Sequence, residues 1–371
     1  MPSVLISGAS IAGPSLAYWL RRRGCDVVVV ERSPVLRGGG QPVDIRGVAL
    51  DVVARMGIKT QVEGRRTRIV GANVLDPGGV EIERHTDRSL SAGRHDSGDI
   101  EILRDDLSGL LYEATRADVD YRFDESITGM QDNGPTVVVS FARAHSQEFD
   151  LVVGADGMYS GVRRQVFGPS EKFLKFLGAY VAIFTTENFL ELTNWQTAIG
   201  NESLGMLVCP AKANRELRVF MMFESPPLPR DLSAAAQKAL LVGKFEHFAW
   251  EAPRILTLLE ETPELYFGEI AQCSMPCWSQ GRVVLVGDAA YSPSPRSGQG
   301  TSLALVGAYV LAAMLARHWN DHATAFTAYE TLMRPFVEAN QMLGRRGADN
   351  QPTDAEVDHA KNAIALPSMA A

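Results

Sequence analysis

Cysteine is scarce in this chain. Cys25, Cys209, Cys273 and Cys277 are the only four in 371 residues, too few and too scattered for the disulfide framework of a small secreted domain. A reducing cytoplasm is the expected setting. Cys273 and Cys277 have ligand-like spacing, but no second pair stands nearby, so apolar packing is expected there and no metal. Basic tracts are also missing: 36 Lys and Arg against 44 Asp and Glu leave a formal charge of −8, and nothing tracks a phosphate backbone, which argues against nucleic acid as a partner. No unbroken apolar run is long enough to cross a bilayer. The apolar start PSVLISGASIAGPSLAYWL has no basic stretch before it and is interrupted by Gly8, Gly13 and Pro14, so it reads as strand, turn and helix rather than as an export signal or span.

Apolar residues make up 46% of the chain, and there are 33 glycines. That is enough for two domains with substantial cores. Residues 4–6 read as a buried strand, 11–23 as a helix and 27–30 as a second strand, because a continuous β-branched run suits a parallel sheet covered on both faces. A Gly/Pro-rich stretch, RSPVLRGGGQPVDIRG, precedes a helix over 48–55. Residues 69–84 read as a hairpin turning at PGG, and 104–115 as a helix. Between 179 and 263 several strands joined by short turns, with a helix near 234–248, favour an antiparallel sheet. After GRVVLVGDAA come helices over 302–319 and 323–343, the second with Pro335 inside it. The segment after Asn350 has weak pattern and reads as surface helix or partly disordered tail.

Three motifs carry chemistry. In GASIAG, Gly8 permits a sharp turn at the strand end, Gly13 permits close helix–strand contact, and the turn of Ser10, Ile11 and Ala12 offers amides and a helix dipole to a phosphate. Ser10 stands where a glycine is usual. Glu31 ends the next strand, where a carboxylate can bind a ribose diol and would repel a 2′-phosphate. In LVVGADGMYSGVRR, Asp156-Gly157 follows a buried strand, a pattern that a helix-capping aspartate would also produce. In VVLVGDAAYSPSPRSGQGTSLALVGA, Gly287-Asp288 is followed by Pro295 and by the small residues Gly298, Gln299, Gly300 and Thr301, a loop able to lay amides against an extended cofactor ring.

Taken in order, GASIAG with Glu31-Arg32, then GADG, then GDAA and PRSGQG, the chain resembles the FAD-dependent aromatic hydroxylases, single-component flavoprotein monooxygenases typified by p-hydroxybenzoate hydroxylase, over about residues 1–345. The stretch GGGQPVDIRG resembles the tetracycline-inactivating branch. The resemblance implies an α/β fold: a Rossmann-like, glutathione-reductase-type FAD-binding domain over 1–67, 99–178 and 268–345, an inserted mostly antiparallel substrate domain over 68–98 and 179–267, and a tail over 346–371. It places the ADP half of FAD on the first turn with Glu31 and Arg32, the pyrophosphate near Arg104, and FAD together with NAD(P)H at Asp156. Asp288 is placed at the ribityl or pyrophosphate region, and the isoalloxazine at Pro295 and 298–301. Ser302 stands where the family often has Asn, and Gly307-Ala308 where it often has an acidic residue before the alanine.

The activity so implied is hydroxylation of an aromatic or polyketide-like small molecule: NADPH or NADH reduces the flavin, O2 adds at its C4a carbon, and the hydroperoxide transfers one oxygen. Candidate catalytic residues are Gln41 and Arg46, with a surface ion pair as the alternative for Arg46. Candidate pocket walls are Phe184, Trp195, Met206, Met221 and Phe223, each also explicable as core. No base for substrate deprotonation stands out. A monomer or homodimer is expected. An FAD-dependent reductase or dehydrogenase without oxygen insertion, and a non-catalytic flavin-binding protein, are the competing readings.

Overall fold

A computed structural model describes residues 1–346 and 351–369. Of the expected tail, 347–350 and 370–371 lie outside the described residues.

The opening unit forms as its sequence predicts. Strand Ser3–Ser7, helix Ala12–Arg21 and strand Asp26–Glu31 make a crossover in which the two strands pair parallel, Val4 opposite Val27 and Ile6 opposite Val29. Their apolar runs are buried because the strands lie inside a six-stranded sheet ordered 279–280, 283–285, 151–154, 3–7, 26–31, 120–123, parallel except for its first strand. Helix Gly300–Arg317 packs against Ala12–Arg21 and is almost wholly buried. Among the described residues it is the one helix long and apolar enough to cross a membrane, yet 83% of that stretch is enclosed by the protein. Helix His322–Gly344 runs unbroken through Pro335.

A second sheet has seven strands, ordered 266–273, 174–187, 216–224, 204–211, 195–200, 71–75, 81–85. It is antiparallel except where Trp195–Gly200 runs parallel to Gly71–Leu75. Strand Leu174–Glu187 runs across the expected boundary at 178/179, and Tyr266–Cys273 across that at 267/268. Helices Ala234–Phe245 and Ala252–Glu261 cover one face and build a core of their own.

One feature is hidden from pattern reading, and the tail takes one of the two forms read for it. Within GGGQPVDIRG lies a short strand, Pro42–Ile45, paired antiparallel with Ile100–Leu103; its partner is distant in sequence, so no local periodicity marks it. The tail carries a helix, Asp354–Lys361, started by a Thr353–Glu356 capping box. Lys361 is buried and pairs with Asp99 at 3.1 Å, which fastens the tail to the turn at Gly47, whose amide also donates to Asp99.

Candidate functional site

Four neighbouring parallel strands end on one edge of the six-stranded sheet and run into Asp288, Asp156, Gly8 and Glu31, in that spatial order. This carboxyl edge is where open α/β sheets collect ligands, because helix starts and unspent amides converge on it. Gly8 has φ +112°, and a β-carbon there would overlap the Ala155 carbonyl; one at Gly13 would overlap the Gly8 carbonyl. No side chain caps the helix at Ile11, so the amides of its first turn stay open to a ligand. Ser10 is half-buried in the turn. Glu31 accepts from the Ala9 amide at 3.0 Å and the Ser33 amide at 2.9 Å, tying the turn to the second strand. Arg32 is exposed.

The loop before Pro42 brings in Arg104. Its amide donates to the Gln41 carbonyl at 2.9 Å, and a β-carbon at Gly40 would strike Arg104 and the Asp105 amide. The half-buried Arg104 lies within electrostatic reach of Glu31, Arg37 and Tyr266, and Tyr266 in turn within reach of Asp288. Asp288 opens onto solvent yet is walled by protein, and this desolvation raises its carboxyl above the usual range. Its Oδ1 lies 3.8 Å from where a β-carbon of Gly300 would be, and Gly287 faces Ala12, so the third motif closes on the first.

The carboxylate of Asp156 is committed to the protein. It accepts from Ser160, from the Gly161 amide at 2.8 Å and from the Val162 amide at 3.1 Å, capping helix Gly161–Phe167. Gly157 takes φ +81° beside it. Burial is the largest influence on Asp156 and raises it, with these hydrogen bonds opposing. Arg163, fully buried, donates to the carbonyls of Met158 and Ala289, to Ser170 and to the Cys273 sulfur, with no carboxylate among its partners. It therefore joins the Asp156 turn to the Asp288 turn. Arg163→Lys is expected to lower stability by about 3 kcal/mol, because one ammonium cannot serve acceptors arranged around a planar fork. Urea unfolding measures this, and a loss below about 1 kcal/mol would show the fork to be dispensable. Beyond this turn Tyr159, Arg164, Arg230 and Phe267 line a cavity of about 350 Å³ against the second sheet.

The loop 294–302 is strained and polar inside. Ser294, 2% exposed, holds φ +79°, a conformation that costs a non-glycine residue about 1–3 kcal/mol and gathers at functional sites. Pro295 opens a single helical turn and is exposed; Gly298 is left-handed, Gly300 half-buried, and Thr301 buried at the start of the long helix. Gln299 is 0% exposed, and neither atom of its side-chain amide has a hydrogen-bond partner. Burying an unpaired amide is costly, so this group is built to be satisfied by something else. Ser302 accepts from the Arg46 amide at 2.9 Å. Arg46 is not at the surface: it is buried in an ion pair with Asp44 at 2.7 Å. Sequence reading passes over Asp44, whose only signal is its place two residues before Arg46 in a glycine-rich stretch.

Four of the five candidate pocket walls prove to be core. Phe184, Met206, Met221 and Phe223 point beneath helices Ala234–Phe245 and Ala252–Glu261 and are at most 2% exposed. Trp195 covers Gly71 at the sheet's far side and donates from Nε1 to Asn73. The alternate positions face the other way. Ile183, Phe220, Leu207 and Ala198 fall in one cross-strand row on the uncovered face. One end of that face meets the loop before Pro42, where Arg218 donates to the Gly40 carbonyl, and the other meets the 294–302 loop, where Arg296 donates to the Leu177 carbonyl.

A parallel sheet whose carboxyl edge gathers a glycine turn, a strand-end glutamate and a buried unpaired amide, beside a second, mostly antiparallel sheet, is the architecture of an FAD-dependent hydroxylase-type flavoprotein. Residues 1–342 match the family model described as FAD binding domain. The chain is 47% identical over 358 residues to an uncharacterized protein of Mycobacterium tuberculosis, covering 96% of this chain and 95% of the other. It is 39% identical to a flavin-dependent monooxygenase of Legionella longbeachae, covering 92% and 87%. The crystal structure of tetracycline destructase Tet(51) superposes with a TM-score of 0.88 at 34% identity, covering 99% of this chain and 100% of that one. The chain belongs to the FAD-binding-domain family, that of the FAD-dependent aromatic hydroxylases.

Proposed function

We propose that this protein is an FAD-dependent monooxygenase that uses NAD(P)H and O2 to hydroxylate an aromatic or polyketide-like small molecule. The observation that carries the reading is the Gln299 amide, buried and unpaired in the loop facing the second sheet. The donor set suits FAD. The Gly8–Gly13 turn and helix start would hold the pyrophosphate, Glu31 the adenosine ribose, Arg104 the pyrophosphate side, and Asp288 the ribityl chain. Pro295, Gly298, Gln299, Gly300 and Thr301 would border the ring, with Gln41 and Arg46 beside it. When bound, FAD supplies the redox centre that takes a hydride and activates oxygen.

The chain's own tasks are to orient and to exclude water. The row Ile183, Phe220, Leu207 and Ala198 offers a flat apolar surface between the two cofactor loops, which favours a planar, largely apolar substrate. The cavity beside the Asp156 turn is lined by three aromatic rings, by Arg164, by Glu269 and by an Arg230 paired with Glu171, and is where a flat nicotinamide could lie.

Purified protein is expected to carry or bind FAD, seen in its visible absorbance, and to oxidise NADPH or NADH faster in the presence of a substrate drawn from phenols, polyketides and tetracyclines. Mass spectrometry under labelled O2 is expected to show one labelled oxygen in the product. Turnover without label would make the protein a reductase, and failure to bind FAD would overturn the reading altogether.

A further inference from the structure

Asp44 and Arg46 sit two residues apart at the end of strand Pro42–Ile45, so their side chains leave the strand on the same side. Both are buried, and Arg46 Nη2 donates to Asp44 Oδ2 at 2.7 Å and to the Ala92 carbonyl at 2.8 Å. Asp44 Oδ1 and Arg46 Nε have no partner. The pair abuts the 294–302 loop: a β-carbon at Gly298 would lie 3.1 Å from Arg46 Nη2 and 3.4 Å from Asp44 Oδ2. The next residue is the unpaired Gln299. Unmet hydrogen-bonding capacity from two separate loops thus collects at one place.

The surroundings decide how much of the Arg46 charge survives. Glu101 stands directly opposite Asp44 on the paired strand and accepts from Thr67 and Ser91. Asp99 lies just before that strand but is already paired with Lys361 of the tail helix. His95 acts on Glu101 from the neighbouring turn. Asp44 is therefore the one carboxylate in direct contact with the guanidinium. Burial pushes it up to about 7, against the pull of Arg46 and with the help of Glu101 and Asp99.

We propose that Asp44 sets the net charge that Arg46 presents to the flavin ring: ionised, it cancels the guanidinium; protonated, it leaves a cation that favours the reduced, more negative form of the cofactor. The inference rests on the proposed FAD site. It makes Asp44 a tuning residue that acts through Arg46, and makes the redox balance pH-dependent beyond the proton uptake intrinsic to flavin. The sign is fixed. Lowering pH protonates Asp44 and raises the midpoint potential; raising pH ionises it and lowers the potential.

The test is the midpoint potential of the FAD-loaded protein, by equilibration with redox dyes between about pH 6 and about pH 8, a range that brackets the Asp44 titration. Wild-type protein is expected to fall more steeply over this range than free FAD. Asp44→Asn is expected to match wild type at the acid end. At the alkaline end it should hold the reduced form about tenfold more favourably, about 30 mV for a two-electron couple. Arg46→Met should lose the excess slope from the opposite side: without the guanidinium Asp44 stays protonated and neutral over this range, so the potential matches wild type at the alkaline end and lies below it at the acid end. A wild-type slope equal to that of free FAD overturns the inference without any variant, and so does an Asp44→Asn curve that superposes on wild type. If wild-type protein does not bind FAD, it is the underlying site that has failed.

Discussion

Alanine at position 13 is expected to remove FAD binding and to lower folding stability by about 3 kcal/mol. The added β-carbon would overlap the carbonyl oxygen of Gly8 and come within 3.3 Å of Ile6 Cγ2. Neither obstacle can give way cheaply. Gly8 is itself locked at φ +112° by the hydrogen bond its amide donates to the Val30 carbonyl and by the nearness of Ala155, and Ile6 is a fully buried member of the central strand. Helix Ala12–Arg21 must therefore back away from the strand, which moves the open amides of its first turn away from any phosphate. Gly109→Ala is the control. That glycine lies within helix Arg104–Glu113 with nothing near its missing side chain, so alanine there is expected to stabilise by about 0.5–1 kcal/mol. Urea unfolding and FAD titration on both variants measure the contrast. A Gly13→Ala protein with wild-type stability and full flavin content would refute the steric argument.

Phe223→Ala is expected to cost about 3–5 kcal/mol while leaving substrate choice unchanged. The ring is 0% exposed, lies 5.7 Å from the stacked ring of Tyr180 and 6.1 Å from that of Phe267, and carries Lys244 over its face. Its removal opens a cavity in the core between the second sheet and its helices, on the face away from the row of Ile183, Phe220, Leu207 and Ala198. Phe220, three residues earlier on the same strand, is half-buried on the opposite face. Phe220→Ala is expected to cost less than about 1.5 kcal/mol and to raise KM for the substrate that the labelled-oxygen screen reveals. Should Phe223→Ala instead change the product and spare stability, the assignment of the two faces would be reversed.

How much could be read in advance follows from how local each feature is. The glycine turn was legible because strand, turn, helix and glutamate are consecutive, and the steric need for Gly13 arises within that unit, whereas the need for Gly8 comes from the distant Ala155 carbonyl. The order of the three motifs was legible for the same reason, each being a strand end and the turn after it. Asp156 was readable either as a ligand or as a cap, and the structure spends its carboxylate on the cap. The pocket walls were not legible. Both alternations of strand 204–211 are apolar, and in 216–224 Phe220 and Met222 interrupt the charged row of Glu216, Arg218 and Glu224 opposite Leu217, Val219, Met221 and Phe223, so a period of two marks a core row without saying which face meets the substrate.

By itself, then, the sequence determined the class of protein and the turn that defines it, because those depend on neighbours along the chain. Only the tertiary structure decided which sheet face is open, that Arg46 is buried against Asp44, and that Lys361 reaches Asp99. Each of these depends on segments far apart in sequence removing water from one another, and whether a charge or an aromatic ring ends up buried is a property of that packing.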